Sequence, residues 1–144
     1  MTTNDGTKDN GCIINTAVQV GAEPTRLAIS VQKGNYSREI IEKTKKFNVS
    51  VLEDSVSFDF IRHFGMQSGR DCEKLDGFKD FSRSHNGLIY LTKNANAFFS
   101  VDVENQVDLG SHILFTGKVI ESKKLSSNNS CTYAYYHKSI KPKI

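Results

Sequence analysis

The 144-residue sequence predicts a mainly β domain with short helices, arranged as a closed or nearly closed barrel. Three observations carry this expectation. Short stretches of alternating apolar residues recur along the chain. Two helical stretches interrupt them without regular β-α-β alternation, and two long strand-like runs near the end flank a glycine-containing turn. Closure into a barrel removes strand edges that would otherwise invite aggregation. The length supports one hydrophobic core and is short for two, so a single domain over 1–144 is expected.

The residues up to Gly11 read as a polar turn running directly into a strand. Ile13, Ile14, Ala17, Val18 and Val20 form a largely apolar strand-like stretch with a polar interruption at Asn15, Thr16 and Gln19. Pro24 marks a turn before Arg26 to Gln32, where Leu27, Ile29 and Val31 alternate, so the two runs read as a hairpin. Asn35 or Ser37 is placed to cap a helix that buries Ile40, Ile41 and Thr44, and Phe47 to Leu52 alternates as a strand. Ser57 to Phe64 reads as a short helix presenting Phe60, Ile61 and Phe64. A long irregular passage starts at Gly65. Strands return at Gly87 to Thr92, Ala97 to Val107 and His112 to Lys124, with a turn at Asp108 to Gly110. Ser126 to Ser130 is a polar loop within the domain.

Bulk properties narrow the function classes. With 38% hydrophobic and 24% charged residues the composition is that of a soluble globular chain, and no apolar run approaches the roughly 20 residues of a bilayer span. The N-terminus lacks the apolar core of a secretory signal, which points to the cytoplasm. Cys12, Cys72 and Cys131 are odd in number and form no C-x-x-C pair, so reduced thiols are expected rather than disulfides or a metal site. No metal is expected at His63, His85 or His137 either. The formal charge of +3 is too weakly clustered for nucleic-acid binding. Only Lys138, Lys141 and Lys143 gather, as a solvated basic tail or as a place for an acidic protein to dock.

No G-x-G-x-x-G, G-x-x-x-x-G-K-[ST] or G-x-S-x-G motif occurs, which disfavours a Rossmann domain, a P-loop and an α/β-hydrolase. What remains is a pair of loops combining glycine, a hydroxyl and a cation: Lys33 to Ser37, leading into a helix, and Gln67 to Asp71, with Lys74 close behind. Such loops suit a phosphate monoester, which wants several N–H or O–H donors and one or two cations. Each, taken singly, also reads as an ordinary turn.

Several stretches together resemble the flavin reductase domain family, in the branch associated with rubredoxin and high-molecular-weight rubredoxin. They are Asn10 to Val20, Asn35 to Ser37, Lys43 to Leu52, His63 to Asp71 and Thr132 to His137, and the similarity runs from about Thr3 to Lys143. The resemblance implies a homodimeric FMN-binding split β-barrel that passes electrons from NADH or NADPH through flavin to a rubredoxin-like protein, free flavin or oxygen. An FMN-binding electron-transfer module without its own NAD(P)H oxidation is the alternative.

By the same resemblance, Asn15, Thr16, Ala17, Val18 and Gln19 lie beside the isoalloxazine ring, with small Ala17 allowing close approach. Ser30, Lys33, Ser68, Gly69 and Arg70 are implied as contacts to the ribityl phosphate, where Arg70 is suited to bidentate pairing. The family's Gly-Asp-His element appears here as Gly110-Ser111-His112. His112 is therefore expected to position the nicotinamide, to hydrogen-bond the flavin edge, or simply to pack on its strand. The Tyr133 to His137 element is expected to cover the flavin or a dimer seam, or to pack amphipathically. The resemblance also implies a strand and short helix ahead of Thr3 that this sequence does not contain, so an incomplete barrel edge is expected.

Overall fold

In a computed structural model describing residues 1–143, nine strands and three short helices are followed by a π-helical turn, Tyr136–Ile140. The strands are β1 Thr2–Asn4, β2 Asp9–Gly11, β3 Val18–Ala22, β4 Thr25–Gln32, β5 Lys46–Leu52, β6 Phe81–Arg83, β7 Ile89–Leu91, β8 Ala95–Asp108 and β9 His112–Lys124. The helices are α1 Tyr36–Thr44, α2 Phe58–Gly65 and α3 Tyr133–Tyr135. Seven strands form one antiparallel sheet in the order β2-β1-β5-β8-β9-β4-β3, and β6 pairs with β7 as a separate hairpin. The sheet wraps one core in which Leu27, Ile29, Val31, Phe47, Val49, Val101, Ile113 and Phe115 meet Ile41 of α1. Phe47 and Phe115 are fully buried, each contributing roughly 2–3 kcal/mol by transfer from water. The two edges, β2 and β3, are joined by the segment 12–17 and share no ladder, so the sheet is not closed.

Local chemistry sets the helix boundaries. Asn35 caps α1 by accepting from the Ser37 N–H, and Ile40 and Ile41 turn inward. Lys45 ends the helix in the left-handed region at φ 58° while donating its N–H to Ile41 O. Ser57 caps α2 by accepting from the Phe60 N–H, and Ile61 and Phe64 are its buried face. Gly110 adopts φ +91° in the β8–β9 turn, where the Asp108 carboxylate accepts from the Gly110 N–H. No helix among the described residues is long and apolar enough to cross a membrane.

Three expectations are corrected. The apolar run Ile13 to Val20 is not one strand: residues 12–17 are irregular, and β3 begins at Val18. Thr16 occupies the next ladder position beyond the Val18–Ala28 pair with its side chain instead of its backbone. Its hydroxyl accepts from Ser30 N at 3.0 Å and donates to Ser30 O at 2.9 Å. The expected N-terminal turn contains β1, whose polar residues become a strand because β2 and β5 pair on either side of it. The irregular passage after Gly65 contains β6, which exists by pairing with β7 and is anchored where Arg83 bridges Asp9.

Candidate functional site

A cavity of ≈ 600 Å³ opens between the segment 11–17, the C-terminal ends of β4 and β5, the end of α2 and the C-terminal helical segment. That volume falls in the range of cofactor pockets. Its polar lining includes Asn15, Ser30, Gln32, Asn35 and His112. Its apolar lining includes Ile13, Ile14, Val51, Leu52 and Phe60. Another concavity, of ≈ 580 Å³, lies on the outer face of α2 against Asp59, Arg62, His63, Met66 and Gln67, and all five are exposed.

The segment 11–17 is held at its start by an unusual pin. Lys74, 5% exposed, donates its ammonium to Gly11 O and to Phe64 O, both at 2.9 Å. One bond satisfies a carbonyl at the open end of α2 and the other fixes the chain entering the cavity wall. Burial pushes the Lys74 pKa down, because the charged form loses hydration without a carboxylate to replace it. Behind it, His63 Nε2 donates to Lys74 O at 2.6 Å.

Across the cavity, His112 faces Gln32 in the β4–β9 register, and its Nδ1 lies 2.8 Å from Ser111 Oγ. The C-terminal segment closes one side: Cys131 N–H donates to Leu52 O at 2.7 Å, bringing Tyr133 and Tyr136 to the cavity wall. Tyr133, Tyr136 and His137 pack as one aromatic group, with the Tyr133 and His137 rings 4.4 Å apart edge to face. Burial, followed by the charge of Asp54, raises the Cys131 thiol pKa.

Of the residues implicated by sequence, Asn15, Ala17, Ser30 and His112 line the cavity. Thr16 stands behind them on β4, Gln19 donates to Gly21 O, and Val18 is exposed on the β3 edge. Of the two basic loops Asn35 reaches the cavity lining while Lys33 and Arg70 do not, and each of these two cations already has a carboxylate. Lys33 Nζ is 2.7 Å from Asp108 Oδ2 and holds that carboxyl below its usual range. Arg70 makes a forked pair with Glu39 of α1, lowering the Glu39 pKa, and its guanidinium sits 5.1 Å from the Tyr36 ring. Ser68 Oγ accepts from Arg70 N, while buried Gly69 packs on Asn10.

The lining residues fit a planar ring with a polar edge: amides and a serine hydroxyl are present together with apolar side chains, and Ala17 is small. The phosphate end fits less directly, since Lys33 or Arg70 would have to share its charge between phosphate and its present carboxylate. The lining residues Gln32, Cys131, Val51 and Leu52 were not singled out by sequence, because only the folded topology brings the ends of β4 and β5 together with the C-terminal segment.

Comparison with known proteins identifies the family and the fold. Residues 1–143 match the flavin reductase like domain. The chain is 34% identical over 137 residues to high molecular weight rubredoxin of Moorella thermoacetica, covering 95% of this chain and 59% of that protein's length. It is 32% identical over 127 residues to ferric-chelate reductase (NAD(P)H) of Archaeoglobus fulgidus, covering 88% of this chain and 75% of that one. Among solved structures it shares its fold with an FMN-binding protein of Thermus thermophilus, at a TM-score of 0.78 and 21% identity over 88% of this chain and 68% of that one. The fold is the flavin reductase split barrel, and the chain belongs to the flavin reductase like domain family.

Proposed function

We infer that this domain binds FMN in the ≈ 600 Å³ cavity, takes electrons from NADH or NADPH, and delivers them to an acceptor such as a rubredoxin-like protein, free flavin or oxygen. The observation that carries this reading is the family match over 1–143 coinciding with a cavity lined by Asn15, Ala17, Ser30 and His112. Flavin, when bound, supplies the hydride and electron chemistry; the protein supplies binding, orientation and electrostatics. Asn15 offers hydrogen bonds to the polar edge of the ring, with Thr16, Val18 and Gln19 setting the course of the chain beside it. Ala17 admits the ring. His112, which lines the cavity with its Nδ1 beside Ser111 Oγ, would position the nicotinamide or hydrogen-bond the flavin edge. Tyr133 and Tyr136 exclude water from the open side.

For the phosphate, Ser30, Lys33, Ser68, Gly69 and Arg70 remain the proposed contacts. Lys33 and Arg70 would then act by turning part of their donor set from Asp108 and Glu39. Arg70 has five N–H donors, so a phosphate and Glu39 can be served together. A homodimer belongs to the same reading: Val18, Val20, Val107 and Leu109 stand exposed on β3 and at the β8–β9 tip, apolar area suited to a second copy. A cytoplasmic location is proposed with it.

Anaerobic mixing of FMN-loaded protein with each nicotinamide tests the reading. Bleaching of bound flavin within seconds by at least one nicotinamide is expected, and slow or absent bleaching with both overturns it. The alternative, an FMN-binding electron-transfer module, is favoured by one observation: Ser111 stands beside His112 where the family pattern has an acid. Tight FMN binding without bleaching is its signature.

A further inference from the structure

We propose that the lysine-rich C-terminal stretch forms the docking surface for an acidic electron-carrier protein, beside the Tyr133–Tyr136 wall of the cavity. This rests on the flavin reading above. From Ser122 to Lys143 the sequence holds Lys123, Lys124, Lys138, Lys141 and Lys143 and no aspartate or glutamate, while the rest of the chain is net negative. All five lysines are exposed, and among the described residues none makes an ion pair, in contrast to Lys8, Lys33 and Lys93. The bordering carboxylates include Glu121, which is paired with His85, Asp54, and buried Glu53, which accepts from Ser126 Oγ.

Topology gathers these charges at one end of the sheet. Lys123 and Lys124 pair with Phe98 and Ala97 at the start of β8, and Leu125 N–H donates to Asn96 O. Leu52, at the neighbouring end of β5, accepts from Cys131 N–H, and Glu53 bridges Ser130. The chain then turns into α3 and the π-helical turn, where Lys141 N–H donates to Tyr136 O, so Lys138 and Lys141 follow directly on the cavity-lining tyrosines. Exposed Tyr133 and Tyr135 add flat apolar surface among the cations.

Such a surface attracts an acidic protein from a distance and settles it near the cavity mouth, where an electron has the shortest path out. A polynucleotide suits it less, because five lysines spread over about twenty residues fall short of the dense basic face that nucleic-acid binding needs. The redox balance is simple: a two-electron-reduced flavin is reoxidised by two one-electron carriers. Each carrier gains one electron at its iron, and the protons held by the reduced flavin pass to water.

The test follows flavin reoxidation by stopped flow in the FMN-loaded protein and in Lys138→Glu/Lys141→Glu/Lys143→Glu, using rubredoxin as the acidic carrier and a small neutral quinone as control. The rate with rubredoxin is expected to fall steeply between low and high salt, and by about tenfold or more in the triple variant at low salt. The quinone rate and the initial bleaching by nicotinamide are expected to stay unchanged. A rubredoxin rate indifferent to salt and to charge reversal overturns the proposal. So does tighter retention of a fluorescent oligonucleotide or of phosphatidylserine vesicles than of rubredoxin. Absence of bleaching before any acceptor is added is a separate result, and it counts against the flavin reading itself.

Discussion

Replacing Gly69 with alanine sets a single methyl group against a fixed neighbour. A Cβ at this position would lie 2.0 Å from Asn10 Oδ1 and 2.8 Å from Asn10 Cγ, with Tyr36 Cδ1 at 3.3 Å. Asn10 has little freedom to retreat. It is 2% exposed, and its Nδ2 donates to Ser37 Oγ at 2.7 Å at the start of α1. Oδ1 has no hydrogen-bond partner, so it is the atom that presses on Gly69. Accommodating the methyl must shift Asn10 or lift the loop that carries Ser68 and Arg70, an overpacking cost of about 1–3 kcal/mol. For a chain of this length that corresponds to a melting point lower by roughly 3–9 °C. Asn10→Ala alone leaves buried Ser37 without that donor and costs about 1–3 kcal/mol. In the double variant the clash is gone, so thermal unfolding followed by circular dichroism should show a total loss at least about 0.5 kcal/mol smaller than the sum of the single losses. A Gly69→Ala protein that melts within about a degree of the parent, or a strictly additive double variant, refutes the packing argument.

Two further predictions concern the frame of the site. Lys74→Met removes the donor from Gly11 O and Phe64 O together, and a loss of about 2 kcal/mol or more in urea unfolding is expected, with weaker FMN affinity as the 11–17 segment loosens. Unchanged stability would mean that the carbonyls find other partners. Asp5 accepts from the N–H groups of Thr7 and Lys8, from the Thr7 hydroxyl and from Tyr36 Oη, which together lower its pKa to about 2 from 3.8. Its stabilising contribution is therefore complete above pH 3.8 and is lost as pH falls toward 2. Asp5→Asn should flatten that part of the acid-unfolding curve, and an identical curve for the variant would contradict the assignment.

Much of the frame was legible because local rules decide it. The alternation in β4 and β9 follows from their facing one core, and Asn35 and Ser57 announce the starts of α1 and α2 as caps. What escaped sequence reasoning depends on contacts distant along the chain. The three residues of β1 carry no apolar signal and are strand because of their neighbours, and Thr16 uses its hydroxyl where the backbone pattern suggested continued pairing. Lys33 and Arg70 read as free cations because Asp108 and Glu39 lie 75 and 31 residues away. Lys74 reads as a loop cation and is a buried pin, since nothing local distinguishes a lysine destined for water from one destined for two carbonyls. The site was legible in part: Asn15, Ala17, Ser30 and His112 converge on the cavity, while the other inferred phosphate contacts, Lys33, Ser68, Gly69 and Arg70, do not reach its lining.

The central claim, that the cavity walled by residues 11–17 holds flavin, is tested most directly by titrating FMN against the protein and against Ala17→Phe while following flavin fluorescence. Ala17 is exposed at the cavity wall, so the added ring fills space meant for the cofactor without disturbing the core. Saturable quenching is predicted for the parent protein. In the variant, at an unchanged melting point, affinity should be weaker by about tenfold or more, equivalent to ~1.4 kcal/mol. A parent protein that does not quench FMN, or a variant that binds it equally well, would contradict the account.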